Sequence, residues 1–571
     1  MCGIFAIINN TINDESLYKK SFYNGKKRGP EYSVIENIDI SNSLIIGFHR
    51  LAINGYNDKL SDQPLQYNDC TLICNGEIYN YSDLYKLSGT IPNTKSDCEI
   101  IIHLYKKYGM EQTLQMLDGV FAFMLIDHKE KFIYIGRDTY GIRPMFVCKE
   151  TINDKPQYII ASEIKQIVPL ISNETNIKSY KPGTYSKFSF VDGAYKLSFR
   201  NRVFSSPNGF INNTIRSEKQ ASIFIKKTLE AAVEKRVRNT DRDIACLLSG
   251  GLDSSLIASL VQKYHRKYYP SKKLHTWSIG LKGSEDLKYA KKVATFIKSE
   301  HHSIEIDKEE MLSAIEEVIY NIESYDTTSV RASIPNYLIS KYIKKYEDKC
   351  DAKVIFNGDG SDEVTGGYIY FHYIKNMLEF DKECRRLLKD IHYFDVLRSD
   401  RSISSNGLEA RTPFLDRNFV QTYLSIPYHL RCHSSNKLCE KYLLRKTFDD
   451  GITLPDEVLW RTKEAFSDGV SNDKEAWFET INKFVKSNIF SNDSNYPEKE
   501  EDIINMMIKE KNITHNLPTT LEQLYYRLLF EKHFPNKGKI IPYFWMPTYG
   551  DTKDASARTL DIYNKVNRNK L

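Results

Sequence analysis

Apolar residues in the first two hundred positions come in short runs cut by Gly, Asn and Asp. The runs at 2–8, 43–48, 71–75, 122–127, 132–137 and 157–161 predict strands. One segment of helical period interrupts them, 98–108, with Ile101, Ile102, Leu104 and Tyr105 on one side. Strands with few helices predict an α+β layered domain. The pattern changes near 205–215, where Ser205-Ser206-Pro207-Asn208-Gly209-Phe210-Ile211-Asn212-Asn213 has linker composition. Beyond it, 217–237 has helical period and 244–248 reads as a short buried strand. Strand–helix alternation continues through 275–279, 302–306 and 353–356, which predicts an α/β doubly wound parallel sheet. From 381 onward the chain reads as mainly helical, and 487–516 as a polar surface excursion. The expected domains are 2–204 and 213–540, with a tail at 541–571.

Composition narrows the partners. The chain has 571 residues, 41% hydrophobic and 27% charged, enough for two domains with their own cores. A formal charge of +6 over that length gives no reason to expect nucleic acid. Ten cysteines lack metal-type pairing and read as reduced thiols. The N-terminus has no basic segment ahead of a short apolar run, so no signal peptide is expected. The apolar run 120–126 falls far short of the ~20 residues that a membrane helix needs. A cytoplasmic protein without a membrane partner is expected.

The chemistry begins at Cys2. Removal of Met1 would give Cys2 a free α-amine of low pKa, a base for its own thiol. Such a thiol suits acyl transfer from an amide; an incidental buried thiol is the other reading. Asn75-Gly76-Glu77 follows a β-run, and an Asn amide with a Gly N–H are oxyanion-hole donors. Arg50 can clamp an α-carboxylate or make a surface ion pair. Asp97 can hold an α-ammonium or cap a helix.

A second constellation starts where 244–248 runs into Ser249-Gly250-Gly251-Leu252-Asp253-Ser254-Ser255 and a helix. A Gly-rich strand-to-helix turn cradles phosphate, or is simply a capped helix start. No Gly-Lys-Ser/Thr is present, so it is not the usual γ-phosphate loop. Asn357-Gly358-Asp359-Gly360-Ser361-Asp362-Glu363 ends another strand, where ligands bind in parallel sheets. Asp253 and Asp362 can approach a metal. Lys463 can neutralise pyrophosphate, and Arg331, after Thr327-Thr328-Ser329, can face a substrate or an adenylate phosphate.

Cys2-Gly3-Ile4, Arg28-Gly29-Pro30, Gly47-Phe48-His49-Arg50-Leu51-Ala52, Gln63-Pro64, Asn75-Gly76-Glu77 and Gly136-Arg137-Asp138 resemble the N-terminal-nucleophile glutaminase domain of class II amidotransferases. The resemblance implies an α+β sandwich with Cys2 as nucleophile and Asn75 and Gly76 as oxyanion hole. It also implies glutamine held by Arg50, Leu51, Ala52, Ile53, Asn54, Glu77 and Asp97. Glu31 stands where that family usually has Asp. Ser249–Ser255 resembles the pyrophosphate loop of the ATP pyrophosphatase family, which implies an acyl-adenylate and Mg²⁺.

The two sets in this order resemble the asparagine synthetase family, through Asp118–Phe123, Glu323–Asp326, Gly407–Asp416 and Phe544–Pro547. That likeness implies glutamine, aspartate and ATP as substrates and a homodimer. It implies a tunnel carrying ammonia between the two sites. It places Leu247, Ser249, Gly250, Gly251, Asp253, Ser254, Ser255, Ile279, Asn357, Gly358 and Lys463 around the nucleotide. Thr328, Arg331, Asp359 and Asp362 lie at the aspartate or adenylate, and Asp253 and Asp362 at the metal. Asn357 replaces the family's usual Ser, and Asp359 its usual Glu. An ammonia-only synthetase and a non-catalytic homologue are the alternatives. A β-lactam-forming relative is disfavoured by Cys2 with Arg50, Asn75 and Asp97.

Overall fold

A computed structural model describes the whole chain except residues 39–42, 153, 208, 464–475, 490–496, 498, 553 and 564–571. It divides into two compact units. The first is Met1–Pro207 with two returning segments, Arg238–Asp243 and Ile403–Ala410; the second holds the remainder.

Two six-stranded sheets build the first unit. One runs in the order Ile177–Ser179, Phe146–Ile152, Lys155–Ala161, Gly3–Ile8, Leu44–Arg50, Tyr32–Asn37. The other runs Ala194–Val203, Thr184–Val191, Phe132–Arg137, Gly119–Asp127, Cys70–Ile78, Leu65–Tyr67. Adjacent strands pair antiparallel. Side chains alternate across a strand, so each central strand feeds two cores. Ile73, Ala122, Met124 and Ile126 meet Ile4, Ala6, Ile8 and Ile46 between the sheets. Leu72, Cys74, Phe121, Phe123 and Leu125 face the other way, onto the helix Ile100–Met116. The free face of the first sheet takes the helix Glu15–Tyr23, whose Phe22 packs on Phe5 and against Gly47. The layers are therefore helix, sheet, sheet, helix. This is why the central strands read as continuous apolar runs without polar alternation.

In the second unit the strands Glu300–Ile306, His275–Leu281, Asp243–Leu247 and Ala352–Phe356 lie side by side, with a short strand ending at Arg411 at the edge. The first three pair parallel. Crossovers such as Leu252–Tyr268, Glu285–Ile297 and Thr327–Lys345 are helical, as parallel pairing requires. Helices dominate from Met377 onward. No helix among the described residues is long and apolar enough to cross a membrane.

Candidate active sites

In the first unit, Cys2 precedes the strand Gly3–Ile8 and packs against the inter-sheet core. Its thiol donates to Leu51 O at 3.6 Å, and its carbonyl accepts Arg28 Nε at 2.9 Å. Arg28 is fully buried and also meets Glu163 at 3.4 Å and Ser404 at 3.0 Å. The sequence marked Arg28 only as part of a motif; the structure gives it the task of fixing the Cys2 main chain. With Met1 attached, burial pushes the Cys2 thiol up to about 11 and the Met1 amine down to about 6. The Met1 amine donates to Leu408 O at 3.3 Å.

Asn75 shares the inward face of its strand with Ile73, by the two-residue period. It is 1% exposed, and neither its amide nitrogen nor its amide oxygen has a hydrogen-bond partner. A buried amide left unpaired costs roughly 1–3 kcal/mol, a cost expected where a ligand supplies the missing partner. A side chain at Gly76 would sit 2.6 Å from Val120 O, so only glycine lets the strands close here.

Around these, Arg50 donates to Asn54 O at 3.2 Å and Gly55 O at 2.8 Å and pairs with Asp62. Glu77 accepts from Asn54 at 2.8 Å and Asn239 at 3.0 Å. Asp97 opens a 3₁₀ turn, with Ser96 in the cap position, and its carboxylate accepts Ile78 N–H at 2.6 Å. Burial pushes the Asp97 carboxyl up to about 6, although the Ile78 N–H and the Asn54 amide oppose the shift. Glu31 accepts Ala52 N–H at 2.6 Å and meets Arg242 at 2.8 Å, so the longer acid still reaches the 51–55 main chain. That stretch is braced by a returning segment. Asp241 N–H donates to Ile53 O at 3.0 Å, and Gly55 N–H donates to Asp241 at 2.8 Å. Nothing in the sequence pattern announced this brace.

In the second unit a cavity opens at the C-terminal ends of the parallel strands. Leu247, Ser249, Gly251, Asp253, Ser254, Ile279, Asn357, Gly358, Asp359, Asp362, Thr328 and Lys463 line it, each a sequence-predicted position. Gly250 and Ser255 do not. Gly250 shapes the turn instead: its φ is +76°, and a Cβ there would lie 2.5 Å from Ala290 N. Ser255 is fully buried in the helix Leu252–Tyr268. Arg331 also departs from expectation. It is 3% exposed, and it binds Glu522 at 2.9 and 2.5 Å and Asp554 at 2.7 and 2.8 Å. Two carboxylates satisfy its guanidinium, and it does not line the cavity. The motif 464–469 after Lys463 lies outside the described residues.

Four charges meet beside the Ser249–Ser255 turn. Lys441 lies 2.6 Å from Asp253 and 2.6 Å from Asp362; Lys463 lies 2.8 Å from Asp362 and 3.6 Å from Asp253. Burial alone would push the Asp362 carboxyl up, but Lys441 and Lys463 hold it well below the usual range. Burial would likewise lower Lys463, and Asp362 with Asp253 raise it instead. Asp253 Oδ1 is buried without a hydrogen-bond partner. Nearby, Arg398 joins Asp359 at 2.9 Å to Asp395 at 2.9 Å, while Asp359 Oδ2 is buried and unpartnered. Sequence reasoning missed Lys441 and Arg398. A lone Lys and a mid-helix Arg carry no local signal.

Residues 225–380 and 373–539 match the family described as Asparagine synthase, and residues 1–222 match the Glutamine amidotransferase domain. A glutamine-hydrolyzing asparagine synthetase of Gallus gallus is 39% identical over 590 aligned residues, covering 99% of this chain and 100% of its own. The Homo sapiens protein of that name is 38% identical over the same coverage. With this likeness covering 99% of its length, the chain belongs to the family of glutamine-hydrolysing asparagine synthetases.

Proposed function

We propose that this chain frees ammonia from glutamine at Cys2 and places it on the β-carboxylate of aspartate, activated as an adenylate by ATP. The observation that carries the reading is that one chain holds both constellations. One is a terminal-type thiol with a buried, unpartnered Asn75 amide. The other is a Gly-rich turn facing a compensated cluster of two carboxylates and two ammoniums. We assign the first chemistry to 2–204 and the second to 213–540, with a tail at 541–571.

In the first reaction the Cys2 thiolate attacks the glutamine amide, ammonia leaves with the proton taken from the thiol, and water hydrolyses the resulting thioester to glutamate. Asn75 Nδ2 and the Gly76 N–H stabilise the oxyanion. Arg50 and Asp97 grip the α-carboxylate and the α-ammonium, while the 51–54 main chain and Glu77 set the orientation. The base is the α-amine of Cys2, which exists once Met1 is gone.

In the second reaction, main-chain N–H groups of the Ser249–Ser255 turn, with Ser249 and Ser254, receive the β- and γ-phosphates. Leu247 and Ile279 flank the adenine, and Asn357 and Gly358 the ribose. The aspartate carboxylate attacks the α-phosphorus, pyrophosphate departs, and Lys463 neutralises it. Asp359 lies where ammonia attacks the adenylate's carbonyl carbon and AMP departs, leaving asparagine. Asp253 and Asp362 fit Mg²⁺: both are oxygen donors, and Asp253 Oδ1 is buried without a partner. Bound there, Mg²⁺ would neutralise phosphate charge.

Glutamine, aspartate and ATP-Mg²⁺ supplied together should yield asparagine, glutamate, AMP and pyrophosphate. Production of ADP in place of AMP would refute the adenylate. The ammonia-only alternative requires that Met1 be retained. Intact mass decides it, since a retained Met1 leaves Cys2 without its amine.

A further inference from the structure

We infer that His275, Glu300 and His302 form a binding site for a divalent transition-metal ion of the Zn²⁺ class, separate from the nucleotide cavity's carboxylates. The strands His275–Leu281 and Glu300–Ile306 run parallel with His275 opposite Glu300 and Trp277 opposite His302. Residues two apart share a face of the sheet, so the register puts all four side chains on one face. His301 falls on the opposite face, where it bonds Thr276 at 3.0 Å and Ser278 at 3.2 Å.

Among the described residues, these three are the one group of three His, Cys, Asp or Glu donors whose ligand atoms all lie within 4.8 Å of one another. His275 Nδ1 and His302 Nε2 are 2.9 Å apart. Two nitrogens bound at about 2.0–2.1 Å to one ion, at tetrahedral to right angles, stand ~2.9–3.4 Å apart. The ring planes lie 14° from parallel with centroids 5.2 Å apart, and the two nitrogens share one N–H···N bond. An ion takes the place of that bond. The shared proton's imidazole shifts to its other tautomer, both rings turn a lone pair to the metal, and Glu300 adds a carboxylate oxygen.

The chemistry of the set suits this class. Imidazole with one carboxylate favours Zn²⁺ and its neighbours over Mg²⁺ or Ca²⁺, which prefer all-oxygen sites. Two cations oppose binding. Lys273 lies 3.6 Å from Glu300 on an 80% exposed side chain, and Lys349 acts on His302 from nearby. An exposed Lys pair is weak enough for the metal to displace. His302 stacks on Trp277 at 4.0 Å, which places an indole reporter next to the ion.

The test is Zn²⁺ titration of the full chain by calorimetry in a Cys2→Ala background, which removes the terminal thiol as a competing ligand. One equivalent should bind. His275→Gln and His302→Gln should each weaken it by at least about 10- to 100-fold, the loss seen on removing a group that only orients a ligand, and Glu300→Gln by about 10-fold. Ni²⁺ should quench tryptophan fluorescence, and Trp277→Phe should remove that quench while Zn²⁺ still binds. Glu300 is exposed, so its variant tests the site even if a His variant misfolds. The inference is overturned if the parent takes up no Zn²⁺, or if Glu300→Gln and the folded His variants titrate like the parent.

Discussion

The two candidate sites solve the same problem, an empty polar pocket, in opposite ways. The glutaminase-type site is built from main chain and a neutral amide. Its polar gap is Asn75, buried with neither amide atom partnered. The synthetase-type site is built from charges, and each has a partner of opposite sign: Asp253 and Asp362 meet Lys441 and Lys463, while Asp359 and Asp395 share Arg398. A neutral amide can wait unpaired for about 1–3 kcal/mol. A buried charge cannot, because removing one partner costs about 3–5 kcal/mol. One site is therefore marked by a gap, and the other by a network of paired charges.

The sharpest break in that comparison is Cys2→Ala. Glutamine-dependent asparagine synthesis should fall by at least ~10⁴-fold, the scale of losing a nucleophile, while synthesis from added ammonium persists. Parallel assays with the two nitrogen sources read this directly. If the variant still hydrolyses glutamine, the nucleophile is misassigned. Asn75→Ala comes next. It should lower glutaminase turnover about 10²–10³-fold, the loss typical of one oxyanion donor. Because the native amide has no partner to lose, the melting temperature should hold or rise. A clear loss of stability would mean that the amide serves the fold.

The charged site should behave the other way round. Lys441 is almost fully buried, with a side chain 1% exposed. Lys441→Met leaves Asp253 and Asp362 facing each other with only Lys463. Stability should drop by about 3 kcal/mol, and pyrophosphate release should fall on the order of 100-fold. Denaturant unfolding and a pyrophosphate assay separate the two effects. A variant as stable as the parent would show that these carboxylates are not held by that ammonium.

How far each site could be read from the sequence follows from this contrast. The strands were legible where both faces are buried, as at 122–127 and 132–137, because an unbroken apolar run is the signature of a middle layer. The strands Tyr32–Asn37 and Ala194–Val203 are sheet edges with mixed exposure and carried no such run. Asn75 and Gly76 stand out in the sequence because two candidate oxyanion donors sit in adjacent residues. Lys441 was not, since its partner Asp253 is 188 positions away. The same distance effect misled the reading of Arg331, whose carboxylate partners lie 191 and 223 positions further on. The brace from Arg238–Asp243 belongs with these, as a return of chain that no local pattern encodes.

A smaller effect comes from pH. Burial raises the Asp97 carboxyl from 3.8 to about 6 in the free protein. Below pH 6 the group is protonated and has no charge to offer the glutamine α-ammonium. Glutaminase kcat/KM should then fall by a further factor of about ten per pH unit, beyond the fall set by protonation of the Cys2 amine, while Asp97→Asn should be poor throughout and lack this added slope. Unfolding is not the cause. An acid with a raised folded pKa binds its proton more tightly in the folded state, so that contribution is full below 3.8 and lost as pH rises through 6. A parent and an Asp97→Asn variant with the same pH slope would reject this role.

The smallest expected change concerns Asp359, where the sequence resemblance leads one to expect Glu. The missing methylene draws the carboxylate back by about 1.5 Å, and a displacement of 1 Å can cost ~100-fold in rate. The structure offers a compensation. Arg398 reaches Asp359 Oδ1 at 2.9 Å and is itself held by Asp395 through both Nε and Nη2, at 3.2 and 2.9 Å. The other oxygen, Oδ2, is left buried and unpartnered. The shorter acid is therefore fixed in place by an anchored guanidinium, with one oxygen to spare. Asp359→Glu should change asparagine formation by less than ~10-fold, whereas Asp359→Asn, which removes the charge that Arg398 pairs with, should cost far more. If Asp359→Glu instead speeds the reaction 100-fold, the native carboxylate is out of position, and the Arg398 bridge marks a weakened site in place of a compensated one.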